Sequence, residues 1–243
     1  MDLSGSLPLE FKVFSQFGED GVTVAIFKII GFLNRYYVEF GCENGMECNT
    51  RILRQYNICS GLLMDGSNEN PEINLRKEFI TAENIVSLFE KYAVPKMFDL
   101  FSLDIDFNDW YVMRNVLEAN YRPSVCIVEY NSHHLPTEDK IVVYNSSGSW
   151  DGTQYFGASL LALQKLFTRY GYTLIYATEH GVNAFFVQNR FVHQLLSTFP
   201  HSGTIEEIFN FPKYGYFNNG HPKDPLKRPY VTAESLLNAT NES

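Results

Sequence analysis

A chain of 243 residues that is 45% hydrophobic and 19% charged can bury a sizeable core, and this composition excludes a disordered protein. A formal net charge of -9, with no basic stripe, excludes duplex nucleic acid as the expected partner. No apolar run reaches bilayer length, and Met1 to Pro8 lacks the basic start and apolar stretch of a signal peptide. The sequence therefore predicts a cytoplasmic protein in which Cys42, Cys48, Cys59 and Cys126 stay reduced.

In chain order, Val22, Ile26, Ile29 and Ile30 are spaced for one buried face of a first helix. Tyr36 to Phe40 reads as a short buried strand ending in a glycine turn, and Leu53 lies in the helix after it. Gly61 to Met64 forms a second strand closing at Asp65, and a weaker third is expected around Glu78 to Thr81. Helices are expected over 85–92 and 109–119, around a fourth strand, Phe98 to Leu103. Ser124 to Val128 is continuous and β-branched, as strands buried on both faces tend to be. A long polar loop, Asn131 to Gln154, precedes a helix over 158–170. Thr173 to Ala177 and Asn183 to Gln188 are joined by a turn at Glu179-His180-Gly181, too short for a crossover helix, so the last strand should run antiparallel. The pattern predicts one α/β domain over 1–243, with a core at about 15–190 and an irregular extension at about 200–243. Its sheet should be Rossmann-like: seven-stranded, mostly parallel, with an antiparallel last strand and helices on both faces.

The chemistry-bearing residues fall at predicted strand ends. In Val38-Glu39-Phe40-Gly41-Cys42-Glu43-Asn44-Gly45 a strand runs into a glycine turn, where backbone can approach a ligand closely. The spacing is not that of the dinucleotide fingerprint, and a carboxylate at Glu39 would repel a pyrophosphate and attract a sulfonium or amino group. Asp65, with Gly66, ends the second strand, where an acid accepts from ribose hydroxyls in either a dinucleotide or an adenosyl site. Asn84 stands where an adenine edge would lie, or caps the next helix. Asp104, Asp106 and Asp109 crowd the end of the fourth strand, beside Glu129 and Asn131 of the fifth. Oxygen ligands of this kind suit Mg²⁺ or Mn²⁺; the alternative is that Asp109 caps its helix while Glu129 bonds the N-terminal turn. His133 and His134 follow, suited to deprotonating a hydroxyl, and Trp150, Asp151, Tyr155 and Phe156 form the expected acceptor wall.

Taken with Ser15-Gln16-Phe17-Gly18-Glu19-Asp20-Gly21, Gly61 to Gly66, Tyr155 to Leu160 and Asn183 to Val187, these segments resemble the FkbM-like branch of S-adenosylmethionine-dependent methyltransferases. The resemblance implies a class I methyltransferase fold and O-methylation of a sugar or glycan-type hydroxyl, with Asp104, Asp106, His133 and His134 as catalytic candidates. It implies that Glu39, Gly41 and Asp65 bind the donor, with Gln16 and Asp20 closing over it; Gly45, Gly66 and Asn84 complete the expected set. A divalent metal, Mg²⁺ or Mn²⁺, on Asp104, Glu129 and Asn131 is consistent with it. The alternatives are a protein or other small-molecule acceptor, or a nicotinamide-dependent Rossmann enzyme.

Overall fold

The computed structural model describes residues 8–239, so the stretch read as lacking a signal peptide lies, but for Pro8, outside the described residues. The elements run α1 (Glu19–Ile30), β1 (Tyr36–Phe40), α2 (Arg51–Gln55), β2 (Ser60–Asp65), β3 (Leu75–Lys77), α3 (Ile85–Lys91), β4 (Met97–Leu103), α4 (Asp109–Glu118) and β5 (Arg122–Glu129). They continue with β6 (Ile141–Val142), α5 (Leu160–Arg169), β7 (Tyr172–Ala177), β8 (Asn183–Gln188), α6 (Asn189–Leu195), α7 (Ile205–Ile208), β9 (Tyr230–Val231) and α8 (Ala233–Ala239).

Seven strands form one sheet in the order β3-β2-β1-β4-β5-β8-β7. All are parallel except β8, which runs antiparallel to both β5 and β7. That order is the Rossmann-like arrangement the sequence implied: seven strands, mostly parallel, with the last in sequence antiparallel and helices on both faces. Because side chains alternate along a strand, each face carries its own core. Val38, Phe40, Met64, Phe101, Leu103 and Val128 pack with α3, α4 and α5, whereas Tyr37, Leu63, Leu100, Val125 and Ile127 pack beneath α1, α2 and α6. α5 starts where the Ser159 hydroxyl accepts from the Ala162 N–H, and its Phe167 stacks on Phe186 of β8 with ring centres 4.0 Å apart.

Two expectations are corrected. The third strand lies at Leu75–Lys77, not Glu78 to Thr81, because its only ladder partners are Leu63, Met64 and Asp65, and β2 ends there. The extension is not irregular: β9 pairs antiparallel with β6 inside the long polar loop, and Asp139 of that loop accepts from the Ala233 N–H of α8 at 2.8 Å and from Lys165 of α5 at 2.8 Å. Loop and extension thus fold against each other over the carboxyl ends of the strands. Neighbouring β1 and β4 lead to opposite sides of the sheet, which opens a crevice at their carboxyl ends.

Candidate active site

At the end of β1, Gly41 has φ +66°, and a Cβ there would lie 1.5 Å from the Asp104 carbonyl oxygen. Only glycine lets the β1 turn pass the end of β4 this closely. Glu39, 4% exposed, accepts from the Asn49 N–H (2.7 Å) on Oε1 and from the Thr50 N–H (3.0 Å) and hydroxyl (2.5 Å) on Oε2. Burial raises its pKa, and these donors pull it back down. Asp65 is similarly engaged: Oδ1 accepts from Ser67 and Asn68, and Oδ2 from the Glu43 N–H at 3.0 Å. Both acids line the cleft, yet each first orders the loop around it. Oδ2 of Asp65, with one partner, keeps capacity for a ligand hydroxyl.

Asp20 and Asn84 stand behind this wall. Asp20 Oδ2 accepts from the N–H groups of Val13, Phe14 and Ser15 and from the Ser15 hydroxyl, at 2.7–2.9 Å, and so sets the course of the chain into Gln16. The Asn84 side chain accepts from the Thr81 N–H and donates to the Phe79 carbonyl, both at 2.8 Å, which shapes the turn that brings Phe79 and Ile80 to the cleft. Neither residue lines it. Gln16, Gly41 and Gly66 do; Gly45 (φ +79°) lets the same loop pass Ile73, which a Cβ would meet at 2.4 Å.

The cleft encloses about 390 Å³. Glu39, Glu43, Glu47, Asp65, Glu78, Asp104 and Asp106 line it, and among the described residues no lysine, arginine or histidine does. Lys12 and Lys91 reach Glu47 (3.1 Å) and Glu78 (2.5 Å) from outside that lining. A second cavity, of about 560 Å³, shares Gln16, Asp104 and Asp106 with the first. Its other walls include Glu129, Trp150, Phe156, His180, Tyr214 and His221, with Lys213 as its one lysine.

Where the two spaces meet, carboxylate oxygens of Asp104, Asp106 and Glu129 lie within 4.8 Å of one another. Burial, then Asp106, Asp109 and Glu39, raises the Asp104 pKa well above the usual carboxylate range. Burial, then Asp104 and Asp106, does the same to Glu129, whose Oε2 is buried without a hydrogen-bond partner among the described residues. Burial brings Asp109 to about 7, although its Oδ1 accepts from the Ile105 N–H at 2.8 Å. Asp106, at φ +64°, sits in the left-handed region, which aspartate enters more readily than most side-chain-bearing residues.

Three sets of expected residues are placed differently by the structure. Asn131 is fully buried, its amide nitrogen donates to the carbonyls of Gln154 (2.8 Å) and Phe156 (2.9 Å), its Oδ1 accepts from the His133 N–H (3.2 Å), and Asp106 joins Asp104 and Glu129 in the carboxylate cluster. His133 and His134 line neither cavity. His133 Nε2 accepts from the His221 N–H at 3.0 Å, and the His134 ring packs 4.8 Å from Tyr230. Burial lowers both to about 4, so each is a neutral packing histidine. Of the expected acceptor wall, Trp150 and Phe156 line the second cavity, whereas Asp151 pairs with Arg228 at 2.6 Å and Tyr155 packs under that guanidinium.

The chain matches no protein-family model and no curated protein sequence. Among solved structures it is similar to human N-acetylserotonin methyltransferase in complex with SAM, at 11% identity and TM-score 0.39, over 70% of this chain and 51% of that one. It is similar to the pyocyanin biosynthetic protein PhzM at 13% identity and TM-score 0.35, over 68% and 54%. It is also similar to the SAH-bound form of CalO1, a methyltransferase in calicheamicin biosynthesis, at 16% identity and TM-score 0.37, over 70% and 55%. The chain thus spans about half the length of each.

The residues that sequence reasoning missed are Lys213, Tyr214 and His221, carried in by the extension, and His180, which stacks on Phe17 at 4.2 Å in the β7–β8 turn. The one local signal was the pair Gly215 and Gly220 bracketing an aromatic run, which marks a tight hairpin. Among the described residues, no helix is long and apolar enough to cross a membrane.

Proposed function

We propose that the protein is an S-adenosylmethionine-dependent O-methyltransferase acting on a hydroxyl of a sugar or glycan-type acceptor. The carrying observation is the charge of the first cleft: seven carboxylates and no basic side chain. A cationic sulfonium donor is attracted there. A nicotinamide dinucleotide would bring its pyrophosphate against the same wall, and each like-charge pair at about 4 Å costs roughly 1 kcal/mol at the screening of water and about 4 kcal/mol at an effective dielectric of 20. Asp65 and Gly66 suit the ribose end, and Phe79 and Ile80 an apolar ring edge.

The acceptor occupies the second cavity, where Trp150, Phe156 and Tyr214 offer ring faces to the C–H face of a sugar. Its oxygen attacks the methyl carbon in line, the carbon–sulfur bond breaks with its electron pair going to sulfur, and S-adenosylhomocysteine leaves. The protein's work is to align the two centres across the Asp104–Asp106 wall and exclude water. Burial raises the pKa values of Asp104, Asp106 and Glu129, so whichever of them is ionised is a stronger base than an ordinary carboxylate and is suited to take the hydroxyl proton. The same oxygen-only trio, with the unpartnered Glu129 Oε2, fits Mg²⁺ or Mn²⁺, and such an ion would lower the pKa of a coordinated hydroxyl.

The test is transfer of tritiated methyl from S-adenosylmethionine to a panel of methyl glycosides, with Mg²⁺ and with chelator. Label in at least one glycoside supports the reading. Label only in added protein or in simple phenols contradicts the acceptor class.

A further inference from the structure

Resting on that reading, we propose that the acceptor is a carbohydrate chain and not a free monosaccharide: the hairpin at 214–220 carries an aromatic platform on which sugar units next to the methylated one stack outside the second cavity. The hairpin is closed by the Gly220 N–H donating to the Tyr214 carbonyl (2.8 Å) and the Tyr216 N–H to the Gly220 carbonyl (3.0 Å). Its crossing is so tight that a Cβ on Gly215, at φ +68°, would lie 2.4 Å from the Gly220 carbonyl oxygen. At the tip, Phe217 (φ 53°) and Asn218 (φ 55°) are both left-handed. A phenylalanine in that conformation is disfavoured, and at 83% exposure its ring gains no burial in return. Tyr216 beside it is 77% exposed, with ring centres 4.6 Å apart at 80°.

Position gives these rings a purpose. Gly215 and Asn218 line the second cavity, so the tip stands at its mouth. Inside, Tyr214 and Trp150 lie 5.2 Å and 4.4 Å from the His221 ring, so aromatic surface runs from the inner wall along the same hairpin to the tip. Two ring faces beside the amides of Asn218 and Asn219 offer stacking surface to the C–H faces of a glycan and hydrogen bonds to its hydroxyls. No carboxylate occurs between 211 and 223. A bilayer is the poorer occupant, since it would desolvate both amides without partners. So is a second copy: two rings offer at most about 500 Å², whereas a stable interface buries about 800 Å² per partner.

The test applies the full chain, with S-adenosylhomocysteine present, to an array of immobilised oligosaccharides and their constituent monosaccharides, alongside the double variant Tyr216→Ala, Phe217→Gly. Both residues are exposed, and glycine relieves the backbone at 217. The proposal expects at least tenfold tighter binding of one oligosaccharide series than of its monosaccharide, reduced tenfold or more in the variant, with S-adenosylhomocysteine binding unchanged by calorimetry. Equal binding of monosaccharide, no glycan bound, or binding indifferent to the variant overturns it. So does sedimentation with phosphatidylcholine–phosphatidylserine vesicles, or self-association, that the variant abolishes. Unchanged methyl transfer to the oligosaccharides by the variant would sink the platform alone; failure of the unaltered protein to bind S-adenosylhomocysteine would sink the transferase reading with it.

Discussion

Gly41 passes so close to Asp104 that a methyl group added at Gly41 would lie 1.5 Å from the Asp104 carbonyl oxygen. This contact joins the glycine turn after β1 to the end of β4, whose Asp104 and Asp106 line both cavities. Gly31 provides the control: its φ is similar (+69°), but nothing lies within 4 Å of an added Cβ. Gly31→Ala should therefore cost only the left-handed penalty, about 1 kcal/mol, and leave donor binding intact. Gly41→Ala should cost more than about 2 kcal/mol and abolish S-adenosylhomocysteine binding. Urea midpoints and calorimetry of the two variants check this; equal costs would refute the close approach.

Stability should fall as pH rises from mildly acidic to mildly alkaline. Burial first, then neighbouring carboxylates, raises the folded-state pKa values of Asp104, Asp106 and Glu129, and burial brings Asp109 to about 7. These groups titrate near 4 in an unfolded chain. Between those limits the native state binds more protons than the unfolded state, so this stability is fully present below about pH 4 and is lost as pH rises through the folded values. Asp109 accounts for at most about 4 kcal/mol of the fall. Urea midpoints measured from pH 4.5 to 8 should decline, and Asp109→Asn should make the decline shallower. An unchanged slope in the variant would remove Asp109 from the account.

Mn²⁺ should bind at the carboxylate trio. Titration followed by electron paramagnetic resonance should show one site, weakened at least tenfold in Asp106→Asn and in Glu129→Gln. Retained affinity in both variants would place any metal elsewhere.

Asn131 lines neither cavity, but its amide donates to the carbonyl of Phe156, a wall of the second. Asn131→Ala leaves the Gln154 and Phe156 carbonyls without their donor and should cost about 2–3 kcal/mol. Methyl transfer should fall while S-adenosylhomocysteine affinity stays within about twofold at a temperature where the variant is folded. A parallel loss of donor affinity would show that the two cavities are not separable in this way.

Much of this was legible in the sequence because it follows from burial. β4 and β5 are covered on both faces, so 98–103 and 124–128 read as strongly apolar runs, interrupted only by Asp99, Ser102 and Ser124. Asp65, Asp104 and Asp106 then fall at the crevice because the ends of β2 and β4 put them there. β3 was misplaced because a three-residue edge strand buries a single side chain, Leu75, and leaves almost no pattern. His133 and His134 were misassigned because adjacency to β5 implies the crevice mouth, whereas the Asn131 turn directs both into packing beneath the extension. His221 and Lys213 could not be seen from local pattern. Their placement depends on β6 and β9, two residues each and far apart in sequence, finding one another.

The most direct test of the methyl-donor cleft is calorimetric titration of the protein with S-adenosylhomocysteine, NAD and NADPH under one set of conditions. A methyl-donor cleft predicts micromolar binding of S-adenosylhomocysteine, through its adenosyl and amino groups, and the seven-carboxylate lining predicts no measurable binding of either dinucleotide. Binding should weaken in Asp65→Ala, which opens the ribose end, and in Glu39→Ala, which releases Asn49 and Thr50. Failure of the unaltered protein to bind S-adenosylhomocysteine, or a preference for a dinucleotide, would contradict the account and leave the fold alone standing.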